Sequence, residues 1–222
     1  MSLTLYYHPL SSYCWKVLTA LYESGAAFEK RFINLGDPAD RAELAAAWPL
    51  AKFPVIRDHA RKRDLAESSI IIEYLDRYWA GPRPMISGDW EQALQTRFWD
   101  RVFDNHIHGP MQQIVLDRLR GTNLDLTRER GTITAAYRLL EDHLASGPWV
   151  TGAQFSMADC AAAPALFYAA VIEPIPGELG RVGAYLERLV TRPSFARVIE
   201  EAKPHFSLFP FAAQIPARFR PS

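Results

Sequence analysis

Ser11 and Ser12 stand where a short aromatic run, residues 3–8, gives way through Pro9 to an apolar-periodic stretch, residues 13–24. Hydroxyls at such a point commonly cap a helix by accepting a bond from one of its first N–H groups. The same place suits different chemistry. A helix N-terminus offers those N–H groups and a partial positive charge to an anion such as a thiolate. A serine hydroxyl aimed at a bound sulfur would donate to the charged form and lower its pKa. One charge-assisted hydrogen bond of about 1.5–3 kcal/mol amounts to one or two pKa units, enough to bring a free thiol near 8.5 into the neutral range.

Lys52-Phe53-Pro54-Val55 is the second stretch of interest. Proline just inside a predicted strand fits an edge position or an unusual peptide bond. With a cis Phe53–Pro54 bond, the Phe53 N–H and C=O would turn outward and pair with an extended peptide as an added strand does. Trans is the ordinary state of such a bond, and the residues alone leave both open. The third stretch is Glu67-Ser68, at the start of another apolar-periodic segment. On the plain reading it is a capping pair. As a site, Ser68 and the first helical N–H groups would take a carboxylate while Glu67 takes the neighbouring ammonium. A thiol site, a backbone strip and an amino-acid headgroup site together describe a tripeptide with an internal cysteine and a γ-linked glutamate.

Other features exclude rather than suggest. His106 and His108 are two residues apart, so on a helix their rings point about 200° apart and cannot hold one ion; no metal is expected. Lys plus Arg (25) balances Asp plus Glu (25), so no net field recruits nucleic acid or an acidic membrane. No uninterrupted apolar run reaches the length of about 18 residues that a membrane-spanning helix needs. The opening MSLTLYYHPL has no charged lead, long apolar core or small-residue cleavage site, so no export signal is expected. Cys14 and Cys160 then read as free thiols in a reducing compartment, with cytoplasm the default.

The elements that must hold these residues alternate over the first 80 positions. Strand signals at 3–8 and 28–35 flank a helix stopped by Gly25, so the two strands should be parallel with a right-handed crossover. A helix opened by Pro38 follows, then a hairpin over 53–57 and 63–66 with a charged tip, then a helix over 68–79. The order is βαβαββα, a thioredoxin-like domain over 1–80. Gly and Pro concentrate in 81–89, the expected linker. Residues 90–222 read as an all-helical domain, with helices at about 90–119, 127–146, 156–172, 178–191 and 194–202. Gly109-Pro110 should bend the first of these, and Pro164 should kink the third. Ser156 and Asp159 form a capping box in its acidic variant. The tail from Pro204 is expected to lie across the surface.

The stretches LYYHPLSSYCWKV, FPVI, ESSIIIEYLDRYW and FSMADCAAAPAL, in this order and spacing, resemble the cytosolic glutathione S-transferase superfamily over nearly the whole chain. The resemblance implies a glutathione transferase of serine type that activates the glutathione thiol for attack on an apolar electrophile, as in detoxification. Glutathione would be a co-substrate, with no other cofactor, and the protein a homodimer. Its activating hydroxyl falls at Ser11 or Ser12, and Tyr7 occupies the place that tyrosine-type classes use, with a packed tyrosine as the alternative. The glutathione contacts fall at Lys52, the Phe53 main chain, cis Pro54, Glu67 and Ser68. Phe103, Ile107 and Met111 would line the electrophile site, with core packing the equal alternative. Cys14 matches the second cysteine of a glutaredoxin pair whose partner here is Ser11, and reads as a packed thiol. The run from Ser11 to Trp15 is also similar to the signature of maleylacetoacetate isomerases, with Tyr13 replacing a cysteine. A glutathione-dependent isomerase and a non-catalytic ligand-binding protein on the same fold are the alternatives.

Overall fold

The computed structural model describes residues 2–220. The chain divides into two compact units, the first ending at Met85 and the second beginning at Ile86. In the first unit β1 (Leu3–Tyr7) is followed by α1 (Ser12–Ser24), β2 (Glu29–Phe32), α2 (Pro38–Ala47), β3 (Val55–Asp58), β4 (Arg63–Ala66) and α3 (Ser68–Tyr78). The sheet order is β2-β1-β3-β4; β1 and β2 are parallel, and the other two pairings are antiparallel. This is the expected βαβαββα arrangement.

Local signals explain each boundary. Gly25 ends α1 in the left-handed conformation (φ 69°), and its N–H donates to the Leu21 carbonyl. Asp37 caps α2 by accepting from the N–H groups of Ala39 and Asp40, and Pro38 occupies the first helical position. Arg31 pairs with Asp40 and Glu43, both at 2.6 Å, tying exposed β2 to α2. One face of the sheet packs Tyr6, Ile33, Leu44 and Val55 into a core with Trp48 and Phe53 against it. Gly81 passes the end of α1 so closely that a Cβ there would lie 2.7 Å from the Ser24 Cα, which demands glycine.

Asp58, at the end of β3, is fully buried. It accepts hydrogen bonds from the Arg61 N–H (2.8 Å), the Tyr74 hydroxyl (2.8 Å) and the Trp79 indole (3.0 Å). Burial pushes its carboxyl up, but these bonds and the Arg61 guanidinium outweigh that and hold it below the usual carboxylate range. The base of the hairpin, below an exposed tip at residues 59–62, is thereby anchored to Tyr74 of the last helix of this unit and to Trp79 just after it.

The second unit is helical: α4 (Trp90–Phe103), α5 (Gly109–Arg120), α6 (Thr127–His143), α7 (Met157–Ile172), α8 (Gly180–Thr191) and α9 (Pro193–Ala202). The single helix expected over 90–119 is interrupted by a π-helical turn, Asp104–His108, in which the Gly109 N–H bonds to the Asp104 carbonyl. Pro110 supplies no N–H to the α-helical ladder, and the wider turn sits where that donor is missing. α7 is buried on nearly all sides and alanine-rich, the signature of a central helix. The helix continues unbroken through Pro164. Its capping box is present: Asp159 accepts from the Ser156 N–H (2.8 Å), the Ser156 hydroxyl (2.8 Å), the Val150 N–H (3.0 Å) and the Tyr185 hydroxyl (2.5 Å).

In this unit one expectation is refined and another fails. The tail lies across the surface, exposed or half-buried at most positions, but it is pinned by three buried residues, Phe206, Phe209 and Ile215, with Phe206 stacked on Phe167 and Phe209 edge-on to Tyr168. Its aromatic residues plug α7. The stripe Phe103, Ile107 and Met111 is also interior, at 0%, 1% and 3% exposure. Ile107 sits on the π turn, which packs against α6 and α7. These side chains are core, so they do not form the wall of an open electrophile pocket. Among the described residues no helix is long and apolar enough to cross a membrane.

Candidate functional site

The sheet register places the three sequence stretches together. Tyr6 stands opposite Val55, and Val55 opposite Ala66. Because β3 runs against β1 and β4, the chain after Tyr6, the chain before Val55 and the chain after Ala66 all emerge at one end of the sheet. Ser11 and Ser12, Phe53 and Pro54, and Glu67 and Ser68 therefore border one surface of the first unit. α1 and α3 both begin there, and they pack against each other. Two helix N-termini side by side concentrate N–H donors and partial positive charge at this end.

Ser11 is the N-cap of α1, and its Oγ accepts from the Cys14 N–H at 3.3 Å. A hydroxyl has one proton and two lone pairs, so the cap leaves the proton available to another acceptor. Ser11 is half-buried, whereas Ser12, the first helical residue, is 8% exposed. Tyr7 closes β1, half-buried, with the Lys30 ammonium 6.0 Å from its ring centroid. It is a strand residue rather than part of the helix start. Cys14 is fully buried, and burial pushes its thiol up to about 12 against weaker hydrogen bonds from Ser11 and the His8 backbone. The packed-thiol reading of Cys14 fits this environment.

The Phe53–Pro54 bond is cis. Phe53 is half-buried, Pro54 is buried and Lys52 is exposed beside them. Glu67 is exposed and adopts φ 66°, ψ 112°, in the positive-φ half of the backbone map that a non-glycine residue rarely enters. Such strain persists where the surroundings impose it, commonly at binding sites. Its side chain makes no capping bond, so the α3 N-terminus is not closed by its own N-cap residue. Ser68, the first residue of α3, is 7% exposed.

His8 belongs to this end too, and the sequence reading passed over it. Its ring stacks on Phe53 (5.8 Å between centroids, 16°) and lies 5.5 Å from Phe32. Its Nδ1 accepts from the Leu10 N–H, and its carbonyl accepts from the Ser11 N–H. It thus shapes the turn that delivers Ser11 and braces the chain before Pro54. The available signal was an aromatic residue ahead of proline between strand and helix; its partners lie 24 and 45 positions away and no local pattern reveals them.

The family model of the glutathione S-transferase N-terminal domain matches residues 5–83, and that of the C-terminal domain matches residues 124–188. The chain belongs to the glutathione S-transferase superfamily. A probable glutathione S-transferase of Glycine max is 28% identical over 170 residues, covering 75% of this chain and 71% of that one. The solved glutathione S-transferase of Methylobacterium radiotolerans, in complex with glutathione sulfonate, is 26% identical with a TM-score of 0.77, covering 89% of this chain and 94% of that one. A stringent starvation protein A homolog of Haemophilus influenzae is 26% identical, covering 91% of this chain and 92% of that one. The superfamily's two-part architecture, a thioredoxin-like unit followed by a helical one, is the architecture described above.

Proposed function

We propose that this glutathione S-transferase family member is a glutathione transferase, binding glutathione at the end of the sheet where α1 and α3 begin. The observation that supports this reading is the register that brings three stretches distant in sequence to one end of the sheet. The Ser11 hydroxyl and the α1 N-terminus receive the sulfur as thiolate. The main chain at Phe53, beside cis Pro54, pairs with the cysteinyl backbone, and Lys52 faces the glycine carboxylate. Ser68 and the α3 N-terminus take the γ-glutamyl carboxylate, and Glu67 takes its ammonium. Ser11 is preferred over Ser12 because it is the more exposed of the two and stands at the cap. Tyr7 is the weakest candidate, lying within the strand.

Chemistry then needs only ionisation and proximity. The thiolate attacks an electrophilic carbon, the new C–S bond forms as the leaving group departs with its electron pair, and the thiol proton goes to solvent. No covalent enzyme intermediate and no resident cofactor are required. A cytoplasmic location suits a reaction that depends on reduced glutathione. A homodimer is part of the reading as well: Trp90, Leu94 and Phe98 recur every four residues on α4 at 68%, 44% and 52% exposure, an apolar stripe that a second copy would cover. Sedimentation showing a monomer at micromolar concentration would remove that element.

The test is calorimetric titration with glutathione, followed by turnover of a chloronitrobenzene. Binding plus consumption of glutathione is expected. Binding without turnover would favour a ligand-binding protein. Turnover of a cis-alkene acid that leaves glutathione unchanged would favour the isomerase. No complex at millimolar glutathione, with protein shown to be folded, would end the proposal.

A further inference from the structure

His8 directly follows β1, half-buried, and holds two of the three stretches at once. Its backbone opens a tight turn, His8–Ser11. The His8 carbonyl accepts from the Ser11 N–H at 3.0 Å, and Pro9 fills the second position with the φ that such turns require. Within that turn the ring's Nδ1 accepts from the Leu10 N–H at 3.2 Å. An asparagine side chain makes the same kind of bond when it reaches its own backbone two residues on. The Trp15 indole donates to the Pro9 carbonyl at 2.6 Å and ties the turn to α1. Because the turn ends on Ser11, the N-cap of α1, its conformation sets where the Ser11 hydroxyl points.

The face of the ring has a separate contact. It stacks on Phe53 with 5.8 Å between centroids and 16° between planes, immediately before the cis bond to Pro54. Aromatic pairs at this spacing have preferred geometries, so the stack restrains the Phe53 side chain and the main chain that carries it. One imidazole thus grips the Ser11 turn with a ring nitrogen and the strip before Pro54 with its face. We propose that His8 is a positioning residue for the glutathione site, with two separable parts. Its Nδ1 sets the turn that aims Ser11 at the sulfur, and its ring sets the Phe53 main chain that pairs with the cysteinyl backbone. This rests on the glutathione reading above and extends it to a residue acting through Ser11 and Phe53. Phenylalanine at this position keeps a stacking ring and loses the acceptor. Asparagine keeps an acceptor for the Leu10 N–H and loses the ring.

Two measurements separate the parts: ultraviolet titration of bound glutathione, and affinity for S-methylglutathione, which has no thiol to ionise. Both are made on wild type, His8→Phe, His8→Asn and His8→Ala. His8→Phe should raise the bound thiol's pKa by about one unit and lower kcat roughly tenfold at about pH 6.5. Its affinity for S-methylglutathione should stay within about twofold of wild type. His8→Asn should leave the thiol's pKa in place and weaken S-methylglutathione about fivefold. His8→Ala, lacking both groups, should show both defects. A purely structural histidine would lower the melting temperature in all three variants and move neither reading. The inference is overturned if a folded His8→Phe titrates its thiol as wild type does, or if His8→Asn raises that pKa as far as His8→Phe. It is equally overturned if both variants weaken S-methylglutathione to the same extent. Should His8→Phe not fold, His8→Ala carries the same test, and a set in which no variant folds also overturns it, since His8 would then serve stability alone. A wild type that forms no glutathione complex would instead sink the glutathione reading itself.

Discussion

Removing the Ser11 hydroxyl separates its two roles, because each has its own size and its own pH dependence. As a cap, its Oγ accepts one bond of 3.3 Å from the Cys14 N–H. Loss of an N-cap costs about 1 kcal/mol, and this long bond belongs at or below that figure. For a chain of this length the melting temperature of Ser11→Ala should fall by about 2–4 °C. As a donor to the thiolate, the same hydroxyl contributes about 1.5–3 kcal/mol, or one to two pKa units. Take a bound thiol near pKa 7, raised to about 8.5 by the substitution. At about pH 6.5 the thiolate fraction then drops from roughly a quarter to roughly one per cent, and kcat/KM falls about twentyfold. At about pH 9 most of the thiol is ionised in both proteins, and the deficit should shrink to less than twofold. The assay is a pH profile of chloronitrobenzene turnover beside ultraviolet titration of the bound thiol. A Ser11→Ala protein that is folded and binds glutathione, with its thiol titrating as in wild type, refutes the assignment. A shift seen only in Ser12→Ala would transfer the role to the neighbouring hydroxyl.

Three further outcomes follow from groups away from the sulfur. Asp159→Ala leaves the buried N–H groups of Val150 and Ser156 and the Tyr185 hydroxyl without their acceptor. A loss of about 3 kcal/mol or more in denaturant unfolding is expected, and a loss under about 1 kcal/mol would show that water or relaxation replaces the carboxylate. Asp58 has a depressed carboxyl in the folded state, so the stability it contributes is present above the ordinary carboxylate pKa and disappears as pH falls through the folded value. Asp58→Asn should therefore be less stable than wild type at neutral pH, with the gap closing below about pH 4; a gap independent of pH contradicts this. Cys14, with its thiol pushed up to about 12 and no exposed surface, should resist iodoacetamide at neutral pH until the protein is unfolded, as mass spectrometry of the native protein would show.

How much of this was legible in the residues depends on the range of the signal. Gly25, Asp37-Pro38 and the Ser156–Asp159 pair announce helix ends because a cap involves neighbours three or four positions apart. The βαβαββα order followed from such punctuation together with strand alternation. The stripe Phe103, Ile107 and Met111 shows where that information ends: helical periodicity marks an apolar face but not whether protein or ligand covers it. Here protein does. The π turn before Gly109 was half visible, since Pro110 marks an interruption without fixing its form. The Asp58 network and the His8 stack join positions 16 to 45 residues apart, and only the sheet topology brings those positions together.

The same distinction explains why the three stretches say more together than singly. A serine before a helix is usually a cap, an X–Pro bond is usually trans and a Glu-Ser pair at a helix start is usually local. Each reading is weak because it treats its stretch alone. The antiparallel runs of β1, β3 and β4 place the end of β1, the start of β3 and the end of β4 side by side. Three stretches bordering those termini must then share one surface, whatever each does separately. Local structure further narrows the options: Glu67 leaves the α3 N-terminus without a side-chain cap, and Ser11 keeps a proton to donate while capping α1. Two adjoining positive helix ends, about 8–10 Å apart as packed helices are, favour a ligand with two negative groups at that spacing, and a tripeptide carrying a thiolate and a separate amino-acid carboxylate meets that demand.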